Sequence, residues 1–359
     1  MRIARLRVAD FRNVEFADLD IGIAQRIFLI GKNGQGKTNL LESLSLLTAL
    51  RSFRTRDTRL LIKNGKKNAR VFVSLFHEKE GETDLILTLA STGTKTVEIG
   101  TGTQVKRLSE FVGRFPIVVF SSDDISLLRG SPAGRRRWMD LTLSTVNAEY
   151  FFHLQRYHRA LESRNRLLKM SGVSDSQLEA FEQILAESGT YITGVRSREM
   201  EKISALFSTF ATKIACVEEA AQLAYSASVD TRDVSTWLEV LRRSRAQDRL
   251  LRATQKGIHR DDFEFRIFGH PAEDFASEGQ QRGMTLSLGL AQLFLFRERL
   301  GIAPVVLADD VLGELDSERK AGFWGAVGGD LQIIATGTLL PENPETWKIF
   351  SVENGSYRL

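Results

Sequence analysis

The chain has 359 residues and a mass of 40.3 kDa, with 42% hydrophobic and 26% charged residues. This balance is typical of a globular protein with a sizeable core, and it excludes disordered, collagen-like and disulfide-stapled chains. The single cysteine, Cys216, cannot form an internal disulfide, a redox pair or a metal cluster.

No segment has the pattern of a signal peptide or a membrane span. Residues 1–11 carry three arginines among small apolar side chains, without the unbroken apolar run of a signal peptide. The most apolar stretch, residues 286–296, is interrupted by Ser287 and Gln292, and about 18 consecutive apolar residues would be needed to span a bilayer. We therefore expect a cytoplasmic protein with no membrane partner.

The first third of the chain predicts mainly strands. Alternating or continuous apolar side chains predict strands over residues 3–8, 14–21 and 26–30. A Gly-rich turn follows, and leucines at helical spacing predict a helix over residues 38–50. Further strands are predicted over residues 71–76, 84–89, 94–99 and 116–120, the first three as a meander.

The composition changes from residue 134 to about residue 252, where Leu, Ala, Glu and Arg dominate and proline is almost absent. This favours several helices. Strands are predicted again over residues 263–268, 305–308 and 331–335, with a helix over residues 280–300. The simplest account is an α/β fold in which residues 1–133 and 255–359 form one domain, interrupted by a mainly helical domain over residues 134–254.

The Gly-rich turn matches the phosphate-loop pattern G-x-x-x-x-G-K-[ST] at every required position, between a predicted strand and a predicted helix. Its residues are Gly31, Lys32, Asn33, Gly34, Gln35, Gly36, Lys37 and Thr38. In such a loop the backbone N–H groups surround phosphate, Lys37 reaches the β and γ phosphates, and the Thr38 hydroxyl binds Mg²⁺. The sequence therefore predicts ATP and Mg²⁺ as cofactors.

A second acidic motif follows the apolar strand at residues 305–308. Asp309 is predicted to hold Mg²⁺, and Asp310 to act as the base or to position the attacking water. Solvated acids at a strand end are common, so the pairing with the phosphate loop is what gives this motif its weight. Lys37 and Asp310 are the predicted catalytic residues.

Ser277 precedes the predicted helix as a natural N-cap, in the segment Ser277-Glu278-Gly279-Gln280. With the two acids and with Glu314-Leu315-Asp316, this segment resembles the signature motif, Walker B motif and D-loop of the ABC ATPase superfamily. Within that superfamily the chain resembles the RecF family. Further matching segments cover most of the chain: residues 11–13, 36–42, 51–54, 128–132 with Arg135-Arg136-Arg137, and 259–262.

The resemblance implies an ABC-type ATPase head, built on a phosphate-loop sheet and an antiparallel meander, with a helical insertion. It implies a homodimer that sandwiches two nucleotides, in which Ser277, Gly279 and Gln280 of one subunit touch the phosphate held by Lys37 of the other. Arg12, Arg54 and Asp316 are further nucleotide-contacting residues. The implied function is an ATP-dependent switch in recombinational repair and replication restart, associated with the nucleoid, that helps RecR and RecO load RecA near gaps in DNA.

Several positions depart from the superfamily pattern. The strand at residues 331–335 leads into Thr336-Gly337-Thr338, where many ABC proteins carry a switch histidine, and Asp310 replaces the catalytic glutamate. We therefore expect slow ATP hydrolysis, and the resemblance implies that this weak ATPase is stimulated by DNA. Ser121-Ser122-Asp123-Asp124 stands where SMC-like heads carry a glutamine on Mg²⁺, with Asp123 as the candidate substitute. His259 has no assigned role, and Gly257 replaces the proline usual in the family before that histidine.

Positive charge is concentrated in two segments, although the net charge is only +4. Residues 51–70 hold eight cations and one anion, and residues 241–260 hold seven cations and one anion. In the first basic cluster we expect Arg54 to reach nucleotide and the other cations to face the phosphates of duplex or single-stranded DNA. For the second basic cluster, a solvated helix face and a DNA contact are equally open.

Three other classes share these motifs. A transporter nucleotide-binding subunit needs helices that dock on membrane helices, whereas this insertion is long and rich in arginine. An SMC-like chromosome-associated ATPase head would carry long arms, but residues 137–263 lack sustained heptads. A nuclease-coupled ATPase would need a further acidic domain, for which the sequence leaves little room.

Overall fold

The computed structural model describes residues 1–55, 57–100, 102–215, 220–314 and 316–359, without the side chains of Leu312 and Glu314. Cys216 and Leu315, named above, lie outside the described residues, as does Arg56, one of the eight cations of the first basic cluster. Within the described ranges, no helix combines the length and apolar character needed to cross a membrane.

The described strands and helices alternate along the chain. The strands are β1 (Arg2–Phe11), β2 (Val14–Asp20), β3 (Arg26–Ile30), β4 (Asn68–His77), β5 (Gly81–Ala90), β6 (Lys95–Ile99), β7 (Thr103–Gln104), β8 (Ile117–Ser121), β9 (Ala221–Ser226), β10 (Asp262–Ile267), β11 (His270–Pro271), β12 (Val305–Asp309), β13 (Ile333–Gly337), β14 (Lys348–Glu353) and β15 (Ser356–Arg358). The helices are α1 (Lys37–Ala49), α2 (Ile125–Arg129), α3 (Pro132–Val146), α4 (Ala148–Leu168), α5 (Asp175–Ala215), α6 (Val234–Leu251), α7 (Ala272–Phe275), α8 (Glu278–Leu300) and α9 (Ser317–Val327).

The chain forms two compact units. The first contains Met1–Asp124, a short segment that starts at Lys213, and Thr285–Leu359. The second contains Ile125–Thr212 and the described part of the following segment up to Met284. Each unit therefore draws on segments that are far apart in sequence.

Two six-stranded sheets build the first unit. One is antiparallel, in the order β2-β1-β4-β5-β6-β7, and contains the predicted meander. The other has the order β15-β14-β3-β13-β12-β8, in which every pair from β14 to β8 is parallel and only β15 runs antiparallel. Parallel strands end at the same edge of a sheet, so the residues that follow β3, β12 and β13 meet there.

Helix α1 contacts strand β1 of the antiparallel sheet and strands β8, β12 and β13 of the parallel sheet. It is therefore buried on nearly all sides, and Leu40, Leu41, Leu44 and Leu47 join the core between the sheets. A helix that is apolar around most of its circumference is stable only when it is enclosed in this way. This enclosure fixes the helix, and with it the Gly-rich loop that precedes it.

The second unit consists of helices with one small sheet, β11-β10-β9. Several helices were predicted between residues 134 and 252, and strand β9 within this segment was not predicted. Its residues pair antiparallel with β10, with Tyr225 opposite Phe263 and Leu223 opposite Phe265. A six-residue strand inside a helix-rich segment depends on a partner strand that lies about forty residues later, which local propensity does not reveal.

Candidate nucleotide-binding site

The phosphate loop lies between the end of β3 and the start of α1, as its motif predicts. Gly36 adopts φ 111° at the N-cap of α1, and a Cβ there would lie 3.0 Å from the Tyr357 hydroxyl. A Cβ on Gly31 would lie 2.3 Å from the Val352 carbonyl oxygen. No side chain caps α1, so its first N–H groups stay available, which is the geometry of an anion site at a helix N-terminus.

Lys37 is buried, and its Nζ donates hydrogen bonds to the carbonyl oxygens of Gly31, at 2.6 Å, and Lys32, at 3.2 Å. Both acceptors belong to the loop itself. The ammonium group is therefore held over the loop, close to the place where its predicted role requires a phosphate. Lys32, Asn33 and Gly34 are exposed, and Gln35 is half-buried.

The loop is also held from outside by residues to which the sequence assigned no role. The Tyr357 hydroxyl donates to the Gly36 carbonyl at 3.0 Å, and the Gly355 amide donates to the Gln35 carbonyl at 3.1 Å. Asn13 donates to the Gly34 carbonyl at 3.1 Å. The C-terminal hairpin of β14 and β15 and the β1–β2 turn thus restrain the loop backbone. No motif signals Tyr357, since its partner lies 321 residues earlier.

The predicted magnesium residues meet at the carboxyl end of the parallel sheet. The Thr38 hydroxyl donates to Asp309 Oδ1 at 2.9 Å, across 271 residues of sequence. The buried Thr336 also donates to Asp309 Oδ1, at 2.9 Å, and accepts the Asp310 amide at 3.0 Å. Thr336, at the position expected to lack a switch histidine, therefore holds both acids in place.

Burial is the main cause that raises the pKa of the Asp309 carboxyl above its ordinary value, and the neighbouring Asp310 raises it further. The hydrogen bonds from Thr38 and Thr336 oppose that rise. The Thr38 hydroxyl and the carboxylates of Asp309 and Asp310 are hard oxygen donors, and the two carboxylates repel each other when both are charged. Such a set of donors suits Mg²⁺. Among the described residues, no group of three His, Cys, Asp or Glu side chains could hold a metal. Mg²⁺ is usually bound through one or two carboxylates together with phosphates and water, and the hydroxyl and carboxylates here are donors of that kind.

Asp310 adopts φ 55°, a left-handed conformation that Asp and Asn tolerate better than most residues. Its carboxylate has no hydrogen bond or ion pair to the described residues. The carboxylate of Asp309, by contrast, is used by two hydroxyls. Asp310 is thus the acid of the pair whose oxygens remain available to a water molecule.

The segment after β8 contains the candidate Asp123 and also Asp124, a carboxyl group with a raised pKa. Its Oδ2 accepts the Ser121 amide at 2.8 Å, whereas Asp123 is exposed. Burial, with smaller contributions from the neighbouring Asp123 and Asp309, raises the pKa of Asp124 to about 7, although the Ser121 hydrogen bond lowers it. An acid with this pKa is neutral at mildly acidic pH and charged at alkaline pH.

This shift predicts a pH-dependent stability. Folded Asp124 keeps its proton up to about pH 7, whereas the unfolded carboxyl ionises near 3.8, so unfolding releases a proton between these values. The free energy of unfolding should therefore fall as pH rises through that window. Asp124→Asn keeps an acceptor for the Ser121 amide and should lose this part of the slope. Urea titrations of the parent and the variant across the window check it, and parallel curves would contradict it.

Arg12 and Arg54, both predicted to contact nucleotide, converge on Glu42 of helix α1. Arg12 binds this carboxylate through Nε, at 2.9 Å, and Nη2, at 2.7 Å. Arg54 Nη1 lies 3.7 Å from Glu42 and donates to the Asn39 amide oxygen at 3.1 Å. The sequence placed Glu42 in a matching segment without a role.

The signature segment belongs to the second unit, and Ser277 caps helix α8. Its hydroxyl accepts the Gln280 amide at 3.3 Å, while its own amide donates to Gln280 Oε1 at 2.8 Å. These reciprocal bonds form a capping box, and Ser277 and Gly279 are exposed at this helix end. In the first unit, Asp316 caps α9 by accepting the Arg319 amide at 2.8 Å.

The second basic cluster is largely neutralised inside its own unit. Arg242, Arg245 and Arg249 of α6 pair with carboxylates of α5, where the acceptors are Asp175, Glu179 and Glu182. Asp248, the single acid of the cluster, is buried and forms an ion pair with Arg164 at 2.8 Å. These three of the seven cations therefore join two helices, a structural role that neither of the two alternatives considered from the sequence included.

The first basic cluster keeps more free charge. Lys63 pairs with Glu15 at 3.0 Å and Lys66 with Asp10 at 3.2 Å, at partly exposed positions where such pairs contribute little. Arg54 pairs with Glu42 and Arg59 pairs with Asp57. The other exposed members that the structure describes have no ion pair to other described residues. These members are Arg51, Lys67 and Arg70.

His259 has a structural environment. Its Nδ1 lies 3.0 Å from the Tyr157 hydroxyl and its Nε2 lies 2.9 Å from the Thr254 carbonyl oxygen. Burial lowers the pKa of His259 to about 4, so the ring is neutral at physiological pH. A neutral, doubly hydrogen-bonded imidazole in the second unit accounts for this residue without a catalytic role.

Curated proteins similar to this chain share one name. "DNA replication and repair protein RecF" of Crocosphaera subtropica and that of Rippkaea orientalis are each 34% identical over 99% of this chain and 99% of their own. The protein of the same name from Symbiobacterium thermophilum is 31% identical over 99% of this chain and 98% of its own. No protein-family model matches the chain.

Solved structures also resemble this chain. The recombination mediator protein RecF-ATP in the RecFOR pathway superposes with a TM-score of 0.90 at 30% identity, covering 99% of this chain and 96% of that chain. The head of Smc bound to the C-winged helix domain of ScpA has a TM-score of 0.55 at 16% identity, which shows the fold alone. The predicted α/β fold of an ABC-type ATPase head is thus confirmed. From its sequence relatives and its fold, the chain belongs to the RecF family of DNA replication and repair proteins.

Proposed function

We propose that the chain is an ATP-dependent DNA-binding switch in recombinational repair and replication restart. ATP with Mg²⁺ binds the phosphate loop of one subunit, and the signature segment of a second subunit closes over it. The resulting homodimer holds DNA near a gap, and slow hydrolysis releases it. The contact that supports this most is the hydrogen bond from Thr38 to Asp309, which joins the loop of Lys37 to the acids after β12.

Each side chain has a proposed task in this cycle. Lys37 and the N–H groups of the loop and of α1 bind the phosphates, and Thr38 and Asp309 would hold Mg²⁺, which supplies charge neutralisation on the phosphates. Asp310 orients the attacking water through a carboxylate that no described residue uses. Ser277, Gly279 and Gln280 act on the nucleotide of the partner, and Arg12, Arg54 and Asp316 complete the contacts. By sequence we assign the ATPase head to residues 1–133 and 255–359 and the inserted domain to residues 134–254, whereas the compact units of the structure divide after Asp124 and Met284.

The proposed partners follow from the family. RecR and RecO are partners in loading RecA onto single strands, with RecA as an indirect partner, and the protein acts in the cytoplasm on the nucleoid. Duplex DNA at gap junctions and single-stranded DNA are the proposed nucleic-acid ligands. An SMC-like chromosome-associated head remains the alternative, because a solved Smc head shares the fold.

Removal of the free charges in the first basic cluster tests the DNA-binding part. Arg51→Gln, Lys67→Gln and Arg70→Gln together should weaken binding to gapped, duplex and single-stranded DNA and flatten its salt dependence. Each lost phosphate contact lowers the slope of log K against log salt by about 0.9 on duplex DNA. Fluorescence anisotropy across a salt series, with and without a slowly hydrolysed ATP analogue, gives the slopes.

A matched control removes three exposed arginines of the second unit, Arg166, Arg243 and Arg252, as glutamines. We expect this variant to keep the parental slope. If the control variant lowers the slope of log K against log salt and the first variant leaves it unchanged, the DNA-binding surface lies in the second unit instead.

Asp310→Asn should retain ATP binding while hydrolysis falls, so that the dimer persists after ATP is added. Asparagine is tolerated in the left-handed conformation of this position, so the backbone should not change. The loss is that of the water-orienting carboxylate, whereas Asp309 stays in place. Phosphate release and light scattering measure the two effects, and parental turnover would require a different residue for this task.

A further inference from the structure

Glu42 is fully buried in the first unit, where its carboxylate meets side chains from two other segments. Its carboxylate receives Arg12 from the β1–β2 turn, and Arg54 lies 3.7 Å away on the loop after α1. Removing these cations would leave an unpaired charge in the core and strongly destabilise the folded state. The arrangement is therefore specific, and it lies five residues after Lys37 on the same helix.

Ser52 ties the loop that carries Arg54 to the same carboxylate. Its hydroxyl donates to Glu42 Oε1 and accepts the backbone amides of Arg54, at 2.9 Å, and Thr55, at 3.0 Å. Glu42 thus orients Arg54 indirectly, through the backbone of its loop. Arg12, in contrast, is oriented directly by a two-pronged contact, a geometry that fixes the plane of a guanidinium group.

The two arginines are also linked to the phosphate loop. Arg54 donates to Asn39, Asn39 donates to Asn13 at 2.7 Å, and Asn13 donates to the Gly34 carbonyl at 3.1 Å. Arg12 immediately precedes Asn13 in the β1–β2 turn. The positions of these guanidinium groups are therefore coupled to the loop that is proposed to bind phosphate.

Both arginines keep hydrogen-bond donors to spare. The contacts to described residues use Nε and Nη2 of Arg12 and Nη1 of Arg54, which leaves Nη1 of Arg12 and Nε and Nη2 of Arg54 without an acceptor among them. The side chains are 22% and 39% exposed, so these donors can be reached from solvent. Guanidinium donors of this kind bind phosphate oxygens well.

We propose that Glu42 is a positioning residue that presents Arg12 and Arg54 to the phosphates of the bound nucleotide. The proposal rests on ATP binding at the phosphate loop. Glu42 touches no nucleotide itself. It acts by fixing two cations whose mutual repulsion would otherwise drive them apart and away from the loop.

The test is a cycle of variants read out as the Kd of a fluorescent ATP analogue with Mg²⁺. Glu42→Gln should weaken binding by roughly tenfold or more, because charged hydrogen bonds that orient both arginines are lost. In a background of Arg12→Gln with Arg54→Gln, the same change should have less than about a twofold further effect. A merely structural role would instead give the same loss in both backgrounds, which would overturn the proposal.

A matched control comes from the second unit, where Glu182 is equally buried and binds Arg164 at 2.9 Å and Arg245 at 2.6 Å. Glu182→Gln should lower the melting temperature as Glu42→Gln does but leave nucleotide affinity unchanged. Equal loss of affinity in both variants would mean that general destabilisation explains the effect, and the proposal would fall.

Ser52→Ala covers the case in which Glu42→Gln does not fold. It should weaken binding in the Arg12→Gln background but not in the Arg54→Gln background, since Ser52 acts on the Arg54 loop. The reverse pattern would overturn the proposal. If Lys37→Ala binds the analogue as tightly as the parent, ATP binding at the loop fails, and this inference fails with it. If Lys37→Ala loses binding but the Glu42 cycle is additive, only this inference fails.

Discussion

Ser277→Arg is expected to abolish ATP-dependent dimerisation while each subunit still binds ATP. Ser277 lies exposed at the N-terminus of α8, where its side chain and amide close a capping box with Gln280. In the proposed sandwich this helix end approaches the γ-phosphate of the partner. An arginine would fill the space between the two, whereas the phosphate loop of the same subunit would be untouched. Light scattering with ATP and Mg²⁺ measures dimerisation, and titration of a fluorescent ATP analogue measures nucleotide binding.

Ser277→Ala is the matched control for the loss of the cap. Removing a serine N-cap costs about 0.5–2 kcal/mol of helix stability, and the alanine and arginine variants share that cost. The alanine variant adds no bulk, so it should dimerise, more weakly than the parent. An arginine variant that dimerises with ATP would refute the sandwich. Equal failure of the two variants would attribute the effect to the helix cap.

Lys37→Ala is expected to leave the fold intact and to weaken ATP binding by roughly ten- to a hundredfold, the range for a lost hydrogen bond to a charged group. The backbone donors of the loop and of α1 remain, but the ammonium group that Gly31 and Lys32 hold over the loop is lost. Calorimetric titration with ATP and Mg²⁺ measures the affinity, and thermal unfolding checks the fold. An unchanged affinity for ATP would contradict the assignment of residues 31–38 as a phosphate-binding loop.

Lys79→Ala controls for the loss of a lysine in the first unit. Its Nζ also donates to a backbone carbonyl, that of Leu300, at 2.6 Å. The side chain has no place in the proposed nucleotide site, so ATP affinity should stay at the parental value. A comparable loss in this variant would show that net charge, and not the position of Lys37, governs binding.

The phosphate loop, the acids after β12 and the cap of α8 could be predicted from sequence because each depends on adjacent residues. A glycine at position 36 and a lysine at position 37 act within one turn of chain, and Ser277 and Gln280 are three residues apart. Apolar spacing likewise located α1 and four strands of the parallel sheet, β3, β8, β12 and β13, whereas β14 and β15 were not predicted. Strand β9 was missed, because it forms only against β10.

The roles of charged side chains were less accessible. The two basic clusters have nearly the same composition, yet in the structure Arg245 and Arg249 pair with acids of α5, whereas Arg51 and Arg70 have no ion pair to described residues. A count of charges along the chain cannot separate these cases, because an ion pair depends on which helix faces lie together. Asp124 is similar, since its pKa depends on packing and on Asp309, which lies far along the chain.

The sequence by itself therefore determined the fold class, the family and the residues of the contiguous motifs. Only the tertiary structure decided that Thr336 holds Asp309 and Asp310, that Tyr357 restrains Gly36, and that Glu42 joins Arg12 to the Arg54 loop. The physical reason is the range of the interactions. A motif is a local arrangement of backbone and side chains, whereas a hydrogen bond between segments exists only after the sheets and α1 have packed and brought its two partners within about 3 Å.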